Sequence, residues 1–174
     1  MNLSKIKLYI ILHIILLLFV ACNQVDKEKV VEEDISIYFV KDLSTTEAMG
    51  KNLDDLPLEN MPMLTDKNIK TYNWIRHEFT LSDGFSLEEE LEGNVPLNGK
   101  PFVVVVNHRR IYLGAFWSPF SSLHIPEIPV IYTLWQKGSN SKHSYKIVIG
   151  KNQEDPRSNE DIFKALKGLG KLTN

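Results

Sequence analysis

The sequence predicts an α+β domain in which an antiparallel sheet of five or six strands is covered by a few short helices. Short runs rich in β-branched and aromatic residues recur along the chain, and two pairs of these runs are joined by polar connections typical of hairpins. Ser-x-x-Glu capping signals precede two short stretches with apolar residues. Because strands and short helices do not alternate regularly, the pattern favours an α+β architecture and leaves the strand order open.

The strongest strand signals form a hairpin between residues 101 and 117. Residues 102–106 are apolar on both faces, which is typical of a central strand covered on both sides. Asn107 and His108 tolerate the left-handed conformation of a tight turn, so residues 109–116 are predicted to return as the partner strand. Residues 35–40 supply a further predicted strand.

Two more strand regions are predicted on either side of this hairpin. Residues 75–81 alternate between apolar and polar side chains, with Ile75 and His77 on the apolar side of a half-buried strand. Residues 129–135 and 143–149 are predicted to form a second hairpin around residues 137–140.

Capping signals predict three helices. Ser44 and Glu47 form a capping box before a short helix that ends at Gly50, and Ser86 and Glu89 form a second one. Ser158 is predicted to cap a closing helix. Its apolar face contains Ile162, Phe163, Leu166 and Leu169.

The segment between the first predicted helix and residue 75 gives weaker signals. Residues 51–66 are predicted to be irregular and held to the core by apolar side chains that include Leu64 and Met61. Asp66 is predicted to cap a turn or two of helix that extends through Tyr72.

The first 22 residues have the organisation of a secretory signal peptide. Lys5 and Lys7 precede an almost unbroken apolar run over residues 8–21, which is followed by the only cysteine of the chain. The run falls short of the roughly 20 apolar residues that a membrane-spanning helix requires. We therefore expect residues 1–21 to be removed as a signal peptide.

The end of this segment resembles the lipobox of bacterial lipoproteins. The matching residues are Phe19, Val20, Ala21 and Cys22, with Phe19 at the position where leucine is usual. The resemblance implies that a diacylglyceryl group is attached to the Cys22 thiol and that cleavage makes Cys22 the first residue. The protein would then be anchored at the extracytoplasmic face of the cell membrane. An ordinary secretory signal followed by a chance cysteine is the alternative.

The lipobox sets the predicted domain organisation. Residues 22–34 form a lipidated N-terminus and a polar, charged tether, which spans at most about 40 Å when fully extended. Residues 35–174 form one globular domain. Without Lys5 and Lys7 the net charge changes from −2 to −4, which argues against nucleic acid as a partner because nucleic acid is bound through clustered Lys and Arg.

No motif of a catalytic or metal centre is found. His77 and Glu78 lack the second histidine of a zinc-protease motif, because residue 81 is leucine. No nucleophile elbow surrounds Ser118, which lies near His124 in the sequence. We therefore predict no catalytic residue, metal or cofactor, and we interpret His77 as a hydrogen-bonded core histidine.

Two groups of residues are candidates for ligand binding. Arg109 and Arg110 form a basic cluster near the tip of the predicted hairpin and would suit an anionic partner, although they could also simply keep the turn solvated. Phe116, Trp117 and Phe120 could form the wall of a pocket for a sugar, peptide or other small ligand, or could pack in the core beneath the following loop.

A second resemblance covers residues 101–117, which read PFVVVVNHRRIYLGAFW, and the nearby Ser121 and Ser122. This part of the chain is similar to small uncharacterised lipoproteins of low-GC Gram-positive bacteria. The resemblance implies no particular activity. The leading hypothesis is a surface-anchored, non-enzymatic binding or interaction domain for a small-molecule, glycan or protein ligand. One alternative is a cell-envelope hydrolase that uses His77, His124 or Ser118. The other is an inhibitor or immunity-type lipoprotein that presents an apolar patch.

Overall fold

A computed structural model describes residues 33–91, 95–133, 144–150 and 155–173. Within these ranges there are nine strands: β1 (Ile35–Phe39), β2 (Leu64–Thr65), β3 (Ile69–Asn73), β4 (Glu78–Leu81), β5 (Lys100–Val106), β6 (Arg109–Trp117), β7 (Val130–Tyr132), β8 (Ser144–Val148) and β9 (Leu172–Thr173). They form one sheet in the order β2-β1-β5-β6-β7-β8-β4-β3-β9. The sheet is curved into a half-barrel.

Few helices accompany the sheet in the described ranges. The α-helices are α1 (Thr45–Met49), α2 (Leu87–Glu90) and α3 (Glu160–Gly168), and the 3-10 helices are Leu53–Asp55, Asp66–Asn68 and Pro156–Ser158. None of these helices has both the length and the apolar character needed to span a membrane.

The predicted fold class, an antiparallel sheet of five or six strands with short covering helices, is wrong. The described residues form nine strands, and the sheet is mixed because β6 pairs with β7 and β3 pairs with β9 in parallel. The three strands β2, β7 and β9 have only two or three residues each. Strands this short show no recognisable alternation and are defined only by their partners in the sheet.

The central strand β5 separates two apolar clusters, as its sequence predicted. Phe102, Val104 and Val106 belong to the main core inside the half-barrel. Val103 and Val105 point the other way and pack in a second cluster with α1 and the 3-10 helix Leu53–Asp55. Helix α3 closes the inner core, where its buried residues Ile162, Ala165 and Leu166 pack with the inner residues of β1 and β5.

The predicted turn between β5 and β6 is confirmed, and it also holds the beginning of the described chain. Asn107 and His108 have positive φ angles of 48° and 66°. The Asp34 amide donates to Asn107 Oδ1 at 2.9 Å, and the Asn107 amide donates to the Asp34 carbonyl at 3.0 Å. The Asn107 side-chain amide also donates to Glu33 Oε2 at 2.8 Å. The chain therefore enters the domain beside the β5–β6 turn.

The predicted helix caps have different outcomes. The capping box of α1 is confirmed, with the Ser44 hydroxyl and the Glu47 carboxylate bonding each other's backbone amides. Helix α2 forms as predicted, but Ser86 accepts no capping hydrogen bond and its hydroxyl donates to Glu88 instead. Helix α3 is capped by Asn159, one residue after the predicted Ser158.

Other local predictions are wrong because pairing within the sheet overrides the local signals. The helix predicted after Asp66 is limited to the 3-10 helix Asp66–Asn68 and gives way to β3. The strand predicted from residue 75 begins at Glu78, since residues 74–77 form a turn that leaves Ile75 78% exposed. Met61, expected to pack on the core, is 77% exposed.

The second predicted hairpin is confirmed in its strands. Val130 pairs with Val148 and Ile131 with Ile147, so β7 and β8 are antiparallel neighbours. The turn expected around residues 137–140 lies outside the described residues.

Candidate functional site

A polar network lies at the inner side of the turn between β3 and β4. His77 is 8% exposed and has a positive φ of 49°. Its Nδ1 lies 3.1 Å from the Tyr72 hydroxyl, and its Nε2 lies 3.5 Å from Asp155 Oδ2. The Tyr72 hydroxyl and Nδ1 form a hydrogen bond in which either group can donate, depending on the tautomer of the ring, whereas Nε2 makes a longer electrostatic contact with the Asp155 carboxylate.

Arg157 completes the network and joins it to the sheet. It donates to both carboxylate oxygens of Asp155, through Nε at 2.7 Å and through Nη2 at 2.8 Å. Its Nη1 donates to the Ile147 carbonyl at 2.6 Å, and the Ile147 amide donates to the His77 carbonyl at 2.9 Å. The bidentate pair orients the Arg157 side chain, and the bond from Nη1 to the Ile147 carbonyl fixes the 3-10 helix Pro156–Ser158 against β8.

The electrostatics of the network favour a neutral histidine. Burial lowers the pKa of His77, and the charge of Arg157 lowers it further against the opposing effect of Asp155. Hydrogen bonds from Arg157 hold the pKa of Asp155 below its usual range, and burial raises the pKa of Tyr72. With Nδ1 bonded to Tyr72 and Nε2 facing Asp155, His77 links the turn between β3 and β4 to both residues. The interpretation of His77 as a hydrogen-bonded core histidine is thus confirmed.

The lowered pKa of His77 predicts a loss of stability in mild acid. An unfolded histidine titrates near pH 6.5, so below about that pH the unfolded chain binds a proton that the folded chain still rejects. The free energy of unfolding should then fall with pH by up to about 1.4 kcal/mol per unit until the folded histidine also titrates. Urea unfolding at a series of pH values from 7.5 to 5 measures this slope.

A matched variant separates His77 from the other histidines. Asn tolerates the positive φ at this position, so His77→Asn should keep the turn. The variant should lose the part of the pH dependence of the free energy of unfolding that His77 causes. The two proteins should differ most in slope just below about pH 6.5, whereas Asp155 acts only in stronger acid because its pKa is lowered. Equal slopes in wild type and His77→Asn would contradict a neutral, buried His77.

The second candidate site is the connection between β6 and β7, residues 118–129, here called the apolar loop. It joins Trp117 to Val130, and its two ends are close together because β7 has only three residues and pairs with the last three residues of β6, so that Val130 lies opposite Ala115. The Ala115 amide donates to the Pro129 carbonyl at 2.9 Å, and the Thr133 amide donates to the Trp117 carbonyl at 3.2 Å. The loop is therefore held at both ends by the sheet.

Three large apolar side chains of this loop face solvent. Phe120 is 70% exposed, Leu123 is 51% exposed and Ile125 is 43% exposed. Single exposed apolar residues are common on protein surfaces, whereas these three fall within six consecutive residues, which makes the loop a candidate for a contact surface. Sequence reasoning found Phe120 and missed Leu123 and Ile125, although prolines on both sides of them indicated an irregular segment.

The three predicted aromatic residues do not share one surface. Phe116 is fully buried in the inner core against Phe39 and Phe102. Trp117 is 4% exposed and packs on the outer face of the sheet with Ala115 and Val130. Only Phe120 is accessible to a ligand.

The two predicted arginines also have different surroundings. Arg110 Nη1 donates to the carbonyls of Leu53, Asp54 and Leu56 at 2.7, 3.0 and 2.8 Å, so it holds the segment that covers the outer face of β5. Arg109 forms an exposed ion pair with Asp161, with 3.1 Å between Nη1 and Oδ2. The structure therefore assigns both arginines contacts within the domain.

The residues considered for hydrolase chemistry have different surroundings. Ser118 is 2% exposed, and its hydroxyl accepts from the Phe120 amide at 3.2 Å. His124 is exposed on the apolar loop, and His77 is engaged in the buried network. Among the described residues, His, Cys, Asp and Glu side chains form no group of three or more that could hold a metal ion.

The concave features differ in size and character. The cavity inside the half-barrel, between the sheet and α3, is lined by residues such as Ile37, Tyr112 and Ile162 and has a volume of about 30 Å³. This is far below the roughly 300 Å³ of a small-molecule pocket. An open cleft of about 420 Å³ lies beside Lys100, whose Nζ sits 4.0 Å from the centroid of the Phe39 ring. Burial lowers the pKa of Lys100, against the charge of Glu59.

The predicted lipid-attachment residue, Cys22, lies outside the described residues. Comparison of the chain with protein-family models, curated proteins and solved structures found no match.

Proposed function

We propose that the protein is a bacterial lipoprotein, anchored through Cys22 at the extracytoplasmic face of the cell membrane, whose domain binds a partner without catalysing a reaction. The observation that carries the proposal is the position of the apolar loop relative to the point where the chain enters the domain. Residues 33 and 34 are held at the β5–β6 turn, where β6 begins. The apolar loop follows Trp117, where β6 ends.

The length of β6 separates these two regions. Ile35 pairs with Val106 beside the turn, whereas Phe39 and Lys100 lie at the other end of their strands, near Phe116. A nine-residue strand extends over roughly 27 Å. The point where the chain enters the domain and the start of the apolar loop are therefore at opposite ends of β6.

The proposed anchor is sufficient to hold the domain. Each buried methylene of an acyl chain contributes about 0.8 kcal/mol, and two chains give stable attachment where one gives only reversible binding. The tether from residue 23 to residue 34 spans at most about 40 Å, so the domain would stay close to the bilayer while its far end remains accessible.

The inhibitor or immunity-type function is the second candidate, and one observation favours it. The exposed apolar group projects from a loop, and the enclosed cavity within the half-barrel is only about 30 Å³. A projecting surface suits the blocking of another protein better than the enclosure of a small ligand. The residues considered for a hydrolase, His77 and Ser118, are engaged in internal hydrogen bonds.

The anchor is tested by Cys22→Ser. Without the thiol no thioether can form, so we expect the variant to lose incorporation of an alkyne-labelled fatty acid and to shift from the membrane fraction to the medium. Asn23→Ser, which keeps the cysteine, serves as the matched control and should behave as the wild type. If Cys22→Ser stayed in the membrane fraction and the wild type took up no label, the lipid anchor would be ruled out.

A further inference from the structure

We propose that the apolar loop inserts into an apolar pocket of a second protein, with Phe120 as the central anchor and Leu123 and Ile125 beside it. The inference rests on the proposed binding function and names the class of its partner. The partner is a protein with a concave apolar site and an uncharged or basic rim.

The backbone of the loop presents Phe120 at the corner of a turn. The Ser121 amide donates to the Ser118 carbonyl at 3.1 Å, which closes a four-residue turn with Pro119 and Phe120 at its centre. The Phe120 amide donates to the Ser118 hydroxyl at 3.2 Å, and Ser118 itself is buried. The phenyl ring therefore projects from a turn whose base is fixed to the domain.

The loop is also restrained before it meets a partner. Pro119, Pro126 and Pro129 each fix one backbone angle, and Pro129 is fully buried at the start of β7. A binding segment that is already ordered loses less conformational entropy on association. Aromatic side chains presented in this way are typical anchors of protein interfaces.

A depression next to the loop extends the contact surface. It has a volume of about 320 Å³ and is lined by five apolar residues, Ile125, Pro126, Val130, Val148 and Ile149, and by His124, Glu127 and Gly150. The loop thus offers both a projecting aromatic ring and an adjoining apolar hollow. This combination suits a protein surface of complementary shape.

Charge and position argue against the bilayer as the occupant. The apolar loop contains no Lys or Arg, and its one carboxylate is Glu127. Loops and helices that bind anionic membranes combine apolar side chains with basic ones. The domain is moreover acidic after removal of Lys5 and Lys7, and the loop lies at the end opposite residues 33 and 34.

The test places a photoactivatable benzoylphenylalanine in the full-length chain in cells of the native host. At Leu123 it should give one discrete adduct with another protein, and at Ile75 it should not, although Ile75 is 78% exposed. Combining the probe at Leu123 with Phe120→Asp should reduce the adduct at least about tenfold, since loss of an anchor residue commonly costs more than tenfold in affinity. As a control, combining the probe at Leu123 with Ile75→Asp should leave the yield of the adduct unchanged.

Each other outcome overturns the inference. These outcomes are no adduct at Leu123, adducts with lipid only, adducts only between copies of this chain, or an adduct that persists with Phe120→Asp. An unchanged thermal unfolding curve of Phe120→Asp shows that the loss of adduct is not a loss of fold. Fractionation of Cys22→Ser tests the anchor separately, so failure of the partner and failure of the anchor give different results.

Discussion

Phe116→Ala should lower the free energy of unfolding by about 3–5 kcal/mol, the usual effect of removing a large buried aromatic side chain. Phe116 is fully buried, with its ring centroid 4.8 Å from that of Phe102 and 5.9 Å from that of Phe39. The three rings belong to three adjacent strands, β1, β5 and β6, so the two neighbours cannot collapse into the space without moving the sheet. Urea unfolding followed by tryptophan fluorescence measures the change.

Phe120→Ala is the matched control, because the same substitution four residues later removes a side chain that is 70% exposed. Its effect on the free energy of unfolding should stay within about 0.5 kcal/mol. A large loss of stability in Phe120→Ala, or none in Phe116→Ala, would contradict the assignment of one ring to the core and the other to the contact surface.

Gly114→Ala should destabilise the protein by at least about 3 kcal/mol, at the upper end of the effects of overpacking a core. A Cβ atom on Gly114 would lie 2.4 Å from Phe102 Cζ and 2.9 Å from the Pro129 carbonyl oxygen. Phe102 is fully buried, and the Pro129 carbonyl accepts the hydrogen bond of Ala115, so neither can move without disturbing β5 or β7. The same urea unfolding experiment applies.

Gly150→Ala controls for the loss of glycine flexibility. A Cβ atom there would meet no heavy atom of the described residues within 4 Å, and the residue does not have a left-handed φ. Its effect should lie within about 0.5 kcal/mol, or be slightly stabilising because alanine restricts the unfolded chain. Similar effects of the two substitutions would show that β5, β6 and β7 are not packed as described.

The parts of the fold that could be predicted are those whose causes are local. Residues 102–106 are apolar at every position because β5 has a core cluster on each face, and Asn107 and His108 suit the left-handed turn that follows. The capping box of Ser44 and Glu47 is complete within four residues. In the turn and the cap the interacting atoms come from neighbouring residues, and in β5 the unbroken apolar run itself indicates that both faces are covered.

The half-barrel could not be predicted because its pairings are distant in sequence. The segment after Asp66 carries a helix-cap signal, but residues 69–73 pair with β4 on one side and with β9, about a hundred residues later, on the other. Long-range backbone pairing of this kind outweighs local propensity, which differs by less than about 1 kcal/mol per residue for most side chains.

The surroundings of the candidate site residues were also difficult to predict, because they depend on contacts that are distant in the sequence. Phe116 and Trp117 point to opposite faces of β6, and both faces are covered, which no alternation pattern could reveal. One of the two partners of His77, Asp155, is 78 positions away in the chain and beyond the reach of spacing arguments. The exposure of Leu123 and Ile125 depends on how the loop lies over the sheet, which their apolar character gave no reason to expect.

The central claim is that the anchored end and the binding end of the domain are opposite ends of β6. The lipidated protein, carrying a maleimide fluorophore at His108→Cys or at Leu123→Cys, is reconstituted into phosphatidylcholine vesicles that contain a headgroup quencher. The sulfur of a lipidated Cys22 is a thioether and does not react with the maleimide. We expect stronger quenching at residue 108, beside the β5–β6 turn, than at residue 123. Equal quenching at both positions, or stronger quenching at residue 123, would contradict the claim.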